Sequence, residues 1–325
     1  MILSVVIPTR NKAPLLRRTL AALAAQQLPD DAHWEIVVVD DASSDGTADL
    51  LAARERAPGG PLLQPVRPAR NLGRAGARNL GVSRARGRYL VFLDDDIVAP
   101  PGLLAAHLRE LSAAPARGTI GYAVTEPTLV DAPHFFYLDG RAVAKLPPGP
   151  APARYFVTQN AGVPREAFLK AGGFDQRFGG YGFEDMEAGF RLEDAGLRFT
   201  ALLDPVPRHV HHHTLQEYLQ KKRECGRDSL QLIAALHPHR LAEMRLDLVV
   251  DPPGGRPSAR ARALRSLLDG PGGAAALAAV ERWPTAADHR PRGLAAYARA
   301  MDLAVLTCFR RGLGDGRRAE PDLPT

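Results

Sequence analysis

The chain has 325 residues, 45% of them hydrophobic, enough for a sizeable core and for one large domain with a smaller companion. Its formal charge of +6 comes from basic residues, mostly arginines, dispersed along the chain. That excludes a concentrated nucleic-acid footprint and leaves open a mild attraction to anionic substrates or lipid. The two cysteines, Cys225 and Cys308, lie far apart, which excludes a disulfide framework and a cysteine metal site and points to a reducing compartment.

Met1 leads directly into an apolar run, Ile2 to Ile7, with no charged stretch and cleavage site around it, so no signal peptide is expected. The run reads as a buried strand, ended by Pro8-Thr9-Arg10-Asn11. A helix follows from about Pro14 to Gln27. Trp34 to Val39 reads as a second buried strand ending in Asp40-Asp41, and Thr47 to Arg56 as a helix after a capping turn. A strand around Leu62–Val66, a helix from Arg74 to Ala85 and a strand from Tyr89 to Leu93 continue the alternation. Strands alternating with helices imply a mostly parallel sheet with right-handed crossovers, an α/β fold.

The strand Tyr89–Leu93 runs straight into Asp94-Asp95-Asp96. The carboxyl ends of strands in an open α/β sheet are where ligands bind. Three adjacent carboxylates repel one another unless a cation sits among them, and hard cations prefer carboxylate oxygens. The residues alone therefore point to a divalent-metal site, set against a solvated acidic turn.

From Gly118 to Pro150 proline and glycine loosen the pattern. Arg154 to Asn160 reads as a strand rejoining the sheet, Arg165 to Ala171 as a short helix, and Gly179 to Phe183 as a flexible segment. A helix is expected from Glu184 to Asp194, a last strand from Phe199 to Leu203, the run His209-Val-His-His-His213, and a helix from Thr214 to about Gly226. Beyond it, helices are expected at Asp228–Leu236, Ala259–Leu268, Ala274–Trp283 and Gly293–Gly312, separated by breakers at Asp251–Gly255 and Gly270–Gly273. The apolar stretch Leu294–Phe309 is interrupted by Arg299 and Asp302 and is too short to span a bilayer. The division expected is a main domain over 1–226, a helical region over 227–313 and a disordered tail over 314–325.

Taken in order, Val6-Ile-Pro-Thr-Arg-Asn11, Val38-Val-Asp-Asp-Ala-Ser-Ser-Asp-Gly-Thr47, Asn71-Leu-Gly-Arg-Ala-Gly-Ala-Arg-Asn79, Phe92-Leu-Asp-Asp-Asp96, Gly172-Gly-Phe-Asp175, Phe183-Glu-Asp185 and the histidine run form one pattern. Over about residues 1 to 226 it resembles the family 2 inverting glycosyltransferases of the GT-A fold. The resemblance implies a nucleotide-diphospho-sugar transferase fold with a helical appendage, and a metal-dependent enzyme moving a sugar from a UDP-, GDP- or dTDP-sugar to a hydroxyl of a glycan, lipid-linked or small-molecule acceptor.

The resemblance also assigns roles. Pro8, Thr9, Asn11, Asp40, Asn71, Arg78, Asp94 and Asp95 would surround the nucleotide-sugar, with Arg78 orienting Asp94. Asp96 would bind Mn²⁺ or Mg²⁺ together with His211 or His213. Asp185, at a helix start, would take the acceptor's proton, with Glu184, Phe174, Asp175 and Asn160 shaping the acceptor side. Gly179–Gly182 would act as a closing loop. A cytoplasmic enzyme is expected, with no nucleic-acid partner; homodimerisation and contact with the inner membrane face stay open. The competing readings are a nucleotidyltransferase, disfavoured because Pro8 to Lys12 holds no glycine-rich phosphate loop, and an inactive glycan-binding relative.

Overall fold

In the computed structural model, residues 1–55, 61–251 and 253–319 are described. They divide into two compact units. The first comprises Met1–Leu129, Asp139–Gln176 and Glu184–His211; the second comprises Val130–Leu138, Arg177–Phe183 and the chain from His212 onward.

The first unit is an α/β domain. Its strands are β1 (Leu3–Thr9), β2 (Trp34–Asp40), β3 (Leu62–Val66), β4 (Tyr89–Leu93), β5 (Ile97–Val98), β6 (Arg117–Ile120), β7 (Val124–Thr125), β8 (Gly149–Ala151), β9 (Asn160–Pro164), β10 (Arg198–Ala201) and β11 (Arg208–His209). Eight of them form one sheet in the order β3-β2-β1-β4-β9-β6-β10-β8, and the short β5, β11 and β7 form a second. The β3-β2-β1-β4 half is parallel, with Leu3 opposite both Trp34 and Tyr89. β9 runs antiparallel between β4 and β6. The continuous apolar runs fit this placement, since β1, β2 and β4 are covered on both faces and Val5, Val37 and Val91 are fully buried.

In this unit the helices α1 (Ala13–Ala24), α2 (Thr47–Glu55), α3 (Gly73–Arg84), α4 (Leu103–Ser112), α6 (Arg165–Lys170) and α7 (Glu184–Asp194) follow in order, while α5 (His134–Asp139) belongs, but for its last residue, to the second. α1 buries Leu16, Leu20 and Leu23 at three- and four-residue spacing into the core below β1. α3 packs on the sheet through Gly81, where an added Cβ would lie 2.6 Å from Val6 Cγ1. The expected strand Arg154–Asn160 is displaced: Ala153–Tyr155 is a 3₁₀ turn and the strand is β9, beginning at Asn160. Arg56, the expected end of α2, lies outside the described residues.

The second unit is helical, with α8 (Leu215–Asp228), α9 (Leu230–Leu236), α10 (Leu241–Met244), α11 (Ala259–Asp269), α12 (Pro271–Glu281) and α13 (Leu294–Ala319). Thr214 opens α8 with a capping box, its hydroxyl accepting from Glu217 N–H while Glu217 reaches back. The expected domain end at Gly226 falls inside α8. There a Cβ would lie 2.3 Å from the carbonyl oxygen of Phe309, so the glycine lets α8 and α13 touch backbone to backbone. Gly312, read as a helix end, is a second such contact, 1.9 Å from Arg223 O if a Cβ is added, and α13 continues to Ala319. Residues 314–319 are thus helical, and the rest of the expected tail, 320–325, lies outside the described residues.

Gly179–Phe183 is not a free loop. Cβ atoms on Gly180 and Gly182 would lie 2.4 Å from Asp228 Cβ and 2.8 Å from Cys225 Sγ, so the segment is seated on α8. Among the described residues no helix is long and apolar enough to cross a membrane.

Candidate active site

The end of β4 gathers the acidic groups because β4 lies between β1 and β9 and its three aspartates fan out in different directions. Asp95 turns inward. Its carboxylate accepts from Thr9 Oγ1 at 2.7 Å and from Lys12 Nζ at 3.2 Å, and its carbonyl accepts from Thr19 Oγ1 on α1. Burial pushes its carboxyl up to about 6 against the opposing pull of Lys12.

Asp96 is also buried, and its Oδ2 accepts from Lys12 Nζ at 2.8 Å. Two imidazoles flank it, His209 Nε2 at 3.3 Å from Oδ1 and His211 Nδ1 at 3.6 Å from Oδ2. The first is an ion-pair distance rather than an aligned hydrogen bond, and Oδ1 takes none within the described residues. Burial works to raise the Asp96 carboxyl, but His209 and Lys12 outweigh it and hold the group well below the usual carboxylate range.

The histidines arrive there through backbone pairing. His209 on β11 lies opposite Ile97 on β5, and Val210 N–H donates to the carbonyl of Asp96 at 2.9 Å. Alternation then puts His209 and His211 on one face, rings stacked with centroids 6.2 Å apart. Asp96, His209 and His211 thus present oxygen and nitrogen donors of the kind a divalent cation takes. The pattern does not extend to His212 and His213. They belong to the second unit, where His212 pairs with Asp131 at 3.0 Å and His213 Nδ1 stands 3.2 Å from Lys221 Nζ. Of the two histidines expected at the metal, the structure brings His211 to Asp96, joined by His209.

Arg78 on α3 is the second centre of the site. Its guanidinium is buried and reaches Asp94 at 3.0 Å, Glu184 at 3.3 Å and Asp185 at 3.5 Å. Their charges hold its proton firmly despite burial. One cation thus ties the end of β4 to the start of α7. Asp185 is further gripped by Thr158, whose N–H donates to Oδ2 at 3.1 Å and whose hydroxyl donates to Oδ1 at 2.9 Å. Desolvation, helped by the neighbouring Glu184 and Asp94, pushes the Asp185 carboxyl up to about 7, against Arg78 and Thr158. Its side chain keeps 16% exposure against 6% for Glu184, whose Oε2 is buried with no hydrogen-bond partner in the described residues.

Several other expected site residues also have structural work. Asp40 accepts from Ser43 N–H and pairs with Arg67, which commits its carboxylate. Asn160 is buried. Its Oδ1 faces His107 Nε2 at 2.8 Å and its Nδ2 donates to the carbonyl of Tyr122, so its amide is consumed internally. Phe174 is buried in an aromatic cluster with Phe92 and Phe168, and its backbone is held by the Asn79 amide. Asn11, at φ 53°, closes its loop by accepting from Ser44 N–H, and Asn71 accepts from Gly73 N–H. Pro8 and Thr9 end β1 beside β2, as expected, and Asp175 follows Phe174 half-buried.

Three participants escaped the sequence reading: Lys12, Thr158 and His107. Lys12 was legible, with Arg10, as a cation beside the polar end of β1. Thr158 and His107 had no local signal, because their partners lie 27 and 53 residues away.

This sheet, with its acidic strand end and adjoining helix start, is the GT-A fold of nucleotide-diphospho-sugar transferases. It aligns with a mannosyltransferase from Pyrobaculum calidifontis, solved with GDP-mannose and Mn²⁺, at TM-score 0.60 and 24% identity over 98% of this chain and 87% of that one. Staphylococcus aureus TarS aligns at TM-score 0.55 and 15% identity over 99% and 93%. The glycosyl transferase family 2 model matches residues 4–139, and that of the N-terminal domain of galactosyltransferase matches residues 144–214. Over residues 4–139 the chain is thus similar to glycosyltransferase family 2. A validoxylamine A glucosyltransferase of Streptomyces hygroscopicus subsp. jinggangensis is 33% identical over 235 residues, 61% of this chain and 53% of that protein. The uncharacterized glycosyltransferase YfnE of Bacillus subtilis is 28% identical over 64% of each chain. The chain spans about half the length of the validoxylamine A glucosyltransferases it matches.

Proposed function

We propose that the chain is a metal-dependent, inverting glycosyltransferase that moves a hexose from a nucleotide-diphospho-sugar to an acceptor hydroxyl. The observation that carries this reading is Arg78, which joins the acidic end of β4 to the carboxylates that open α7. A donor bound over the strand end and an acceptor beside Asp185 are thereby held in one frame. The names of the relatives support a hexose: a glucosyltransferase by sequence and a mannosyltransferase by fold.

Asp185 is the general base. Its carboxylate takes the proton of the acceptor hydroxyl as that oxygen forms a bond to the anomeric carbon from the face opposite the leaving group, which inverts the centre. The bond from the anomeric carbon to the diphosphate oxygen breaks, and its electron pair leaves on the nucleoside diphosphate. Thr158 and Arg78 fix the Asp185 carboxylate so that it need not reorganise. Asp96, His209 and His211 would hold the cation, and their mixed oxygen and nitrogen donors favour Mn²⁺ over Mg²⁺. The bound ion supplies neutralisation of the charge growing on the diphosphate. Asp94 and Glu184 complete the Arg78 cluster, Glu184 serving to hold an acceptor hydroxyl.

The test is a panel of UDP-, GDP- and dTDP-sugars with Mn²⁺, read by release of nucleoside diphosphate and by the anomeric configuration of the product. Retention of configuration refutes inversion, and consumption of nucleoside triphosphates in place of nucleotide-sugars refutes the transferase reading. The expected helical region after residue 226 is proposed to serve the acceptor side or dimerisation, and a shortened chain of full activity and unchanged size would refute that.

A further inference from the structure

We infer that Lys12 is a resident cation of the acidic strand end that gives way to the metal and then binds the diphosphate of the donor and of the leaving group. The inference rests on the transferase reading above and adds to it a residue and a sequence of events.

Lys12 ends the loop between β1 and α1. Its backbone is anchored on both sides: Asn11 N–H donates to Ser43 Oγ at 2.9 Å, and Ala13 N–H donates to Asp45 at 3.1 Å. α1 itself is fixed by buried Leu16, Leu20 and Leu23. The ammonium at the end of the side chain bridges two aspartates, 3.2 Å from Asp95 Oδ1 and 2.8 Å from Asp96 Oδ2. The side chain remains 32% exposed, so a fixed root carries a tip that is free to turn on a flexible four-carbon stem.

The two contacts differ. The second oxygen of Asp95 is taken by Thr9, so Asp95 is a built-in anchor for the ammonium. Asp96 Oδ2 is the oxygen that also faces His211 Nδ1, at 3.6 Å. Lys12 on Oδ2 and a divalent ion taking the other oxygen, Oδ1, would therefore share the one Asp96 carboxylate and repel each other across it. With Asp96, His209 and His211 holding a cation, the Lys12 ammonium would leave Asp96 and stay on Asp95, still protonated. It is then the charge that the chain itself brings to an anion over the strand end. No proton moves in this step: the ammonium stabilises the electron pair that the diphosphate carries away.

Exchanging Lys12 for methionine keeps the stem and removes the charge. It has two effects of opposite sign. Mn²⁺ binding without nucleotide, measured by isothermal titration, tightens about tenfold, because the repelling ammonium is gone. Nucleoside diphosphate binding in saturating Mn²⁺ weakens about tenfold to a hundredfold, as for loss of one charge-assisted hydrogen bond. Lys12→Arg keeps the phosphate contact and restores most of the nucleotide affinity. Thermal unfolding of each variant checks that it folds. Weakening of both ligands, or no change in either, overturns the role of Lys12 while leaving the transferase reading in place. If the wild-type chain binds neither Mn²⁺ nor any nucleoside diphosphate, the transferase reading itself fails.

Discussion

Asp185→Asn separates chemistry from fold with one atom. In the wild-type chain the Asp185 carboxyl is pushed from 3.8 to about 7 by desolvation, with Glu184 and Asp94 adding to it. A shift of about three units corresponds to a ceiling of ~4 kcal/mol at 1.36 kcal/mol per unit. Because the folded value is raised, this stability is fully present below about pH 4 and is lost as pH rises through about 7. Asparagine does not titrate, and its amide keeps partners in Thr158, so the pH dependence of stability between 4 and 8 flattens. At pH 8 the variant without ligands is as stable as the wild type or more so. Activity moves the other way. The acceptor loses its proton acceptor and kcat falls by about 10²–10⁴-fold, while nucleoside diphosphate binding stays near wild type. Thermal unfolding across pH and steady-state kinetics read the two effects separately. Wild-type kcat in Asp185→Asn, with loss in Glu184→Gln, would refute the reasoning and make the more buried Glu184 the base.

The wild-type kcat/KM should fall on the acid side with a midpoint near pH 7, since only the ionised Asp185 accepts a proton. Thr158→Val removes the hydroxyl donor that favours that ionised form, so the midpoint should move upward while nucleotide affinity holds. A chelator should abolish transfer and added Mn²⁺ restore it, and His209→Ala and His211→Ala should each weaken Mn²⁺ binding measured by titration; full turnover in the chelator would sink the metal assignment. Gly226→Ala should lower the unfolding temperature, at a cost of about 1–3 kcal/mol, because the new Cβ meets the Phe309 backbone; an unchanged melting curve would mean that α8 and α13 have room to part.

Local pattern determined much of this chain. The runs at Leu3–Ile7, Ile36–Val39 and Tyr89–Leu93 are apolar but for Ser4 and show no alternation, the pattern of strands covered on both faces, and they are. Three carboxylates after such a strand marked the site before any contact was known. The tertiary structure decided where each charge went. Asp95 went to Thr9 and Lys12, and Asp96, equally buried, to Lys12 and two histidines that a short pairing with β5 swings beside it. It also decided which polar residues are spent on the fold: Asn160 on His107, Asp40 on Arg67. The glycines show the reason most plainly. Gly226 and Gly312 read as approximate helix ends because glycine weakens an isolated helix, yet α8 runs on to Asp228 and α13 to Ala319, and at both glycines two backbones touch. A residue's own propensity is local and visible in sequence, whereas the space left by a helix dozens of residues away is set only once the chain has packed.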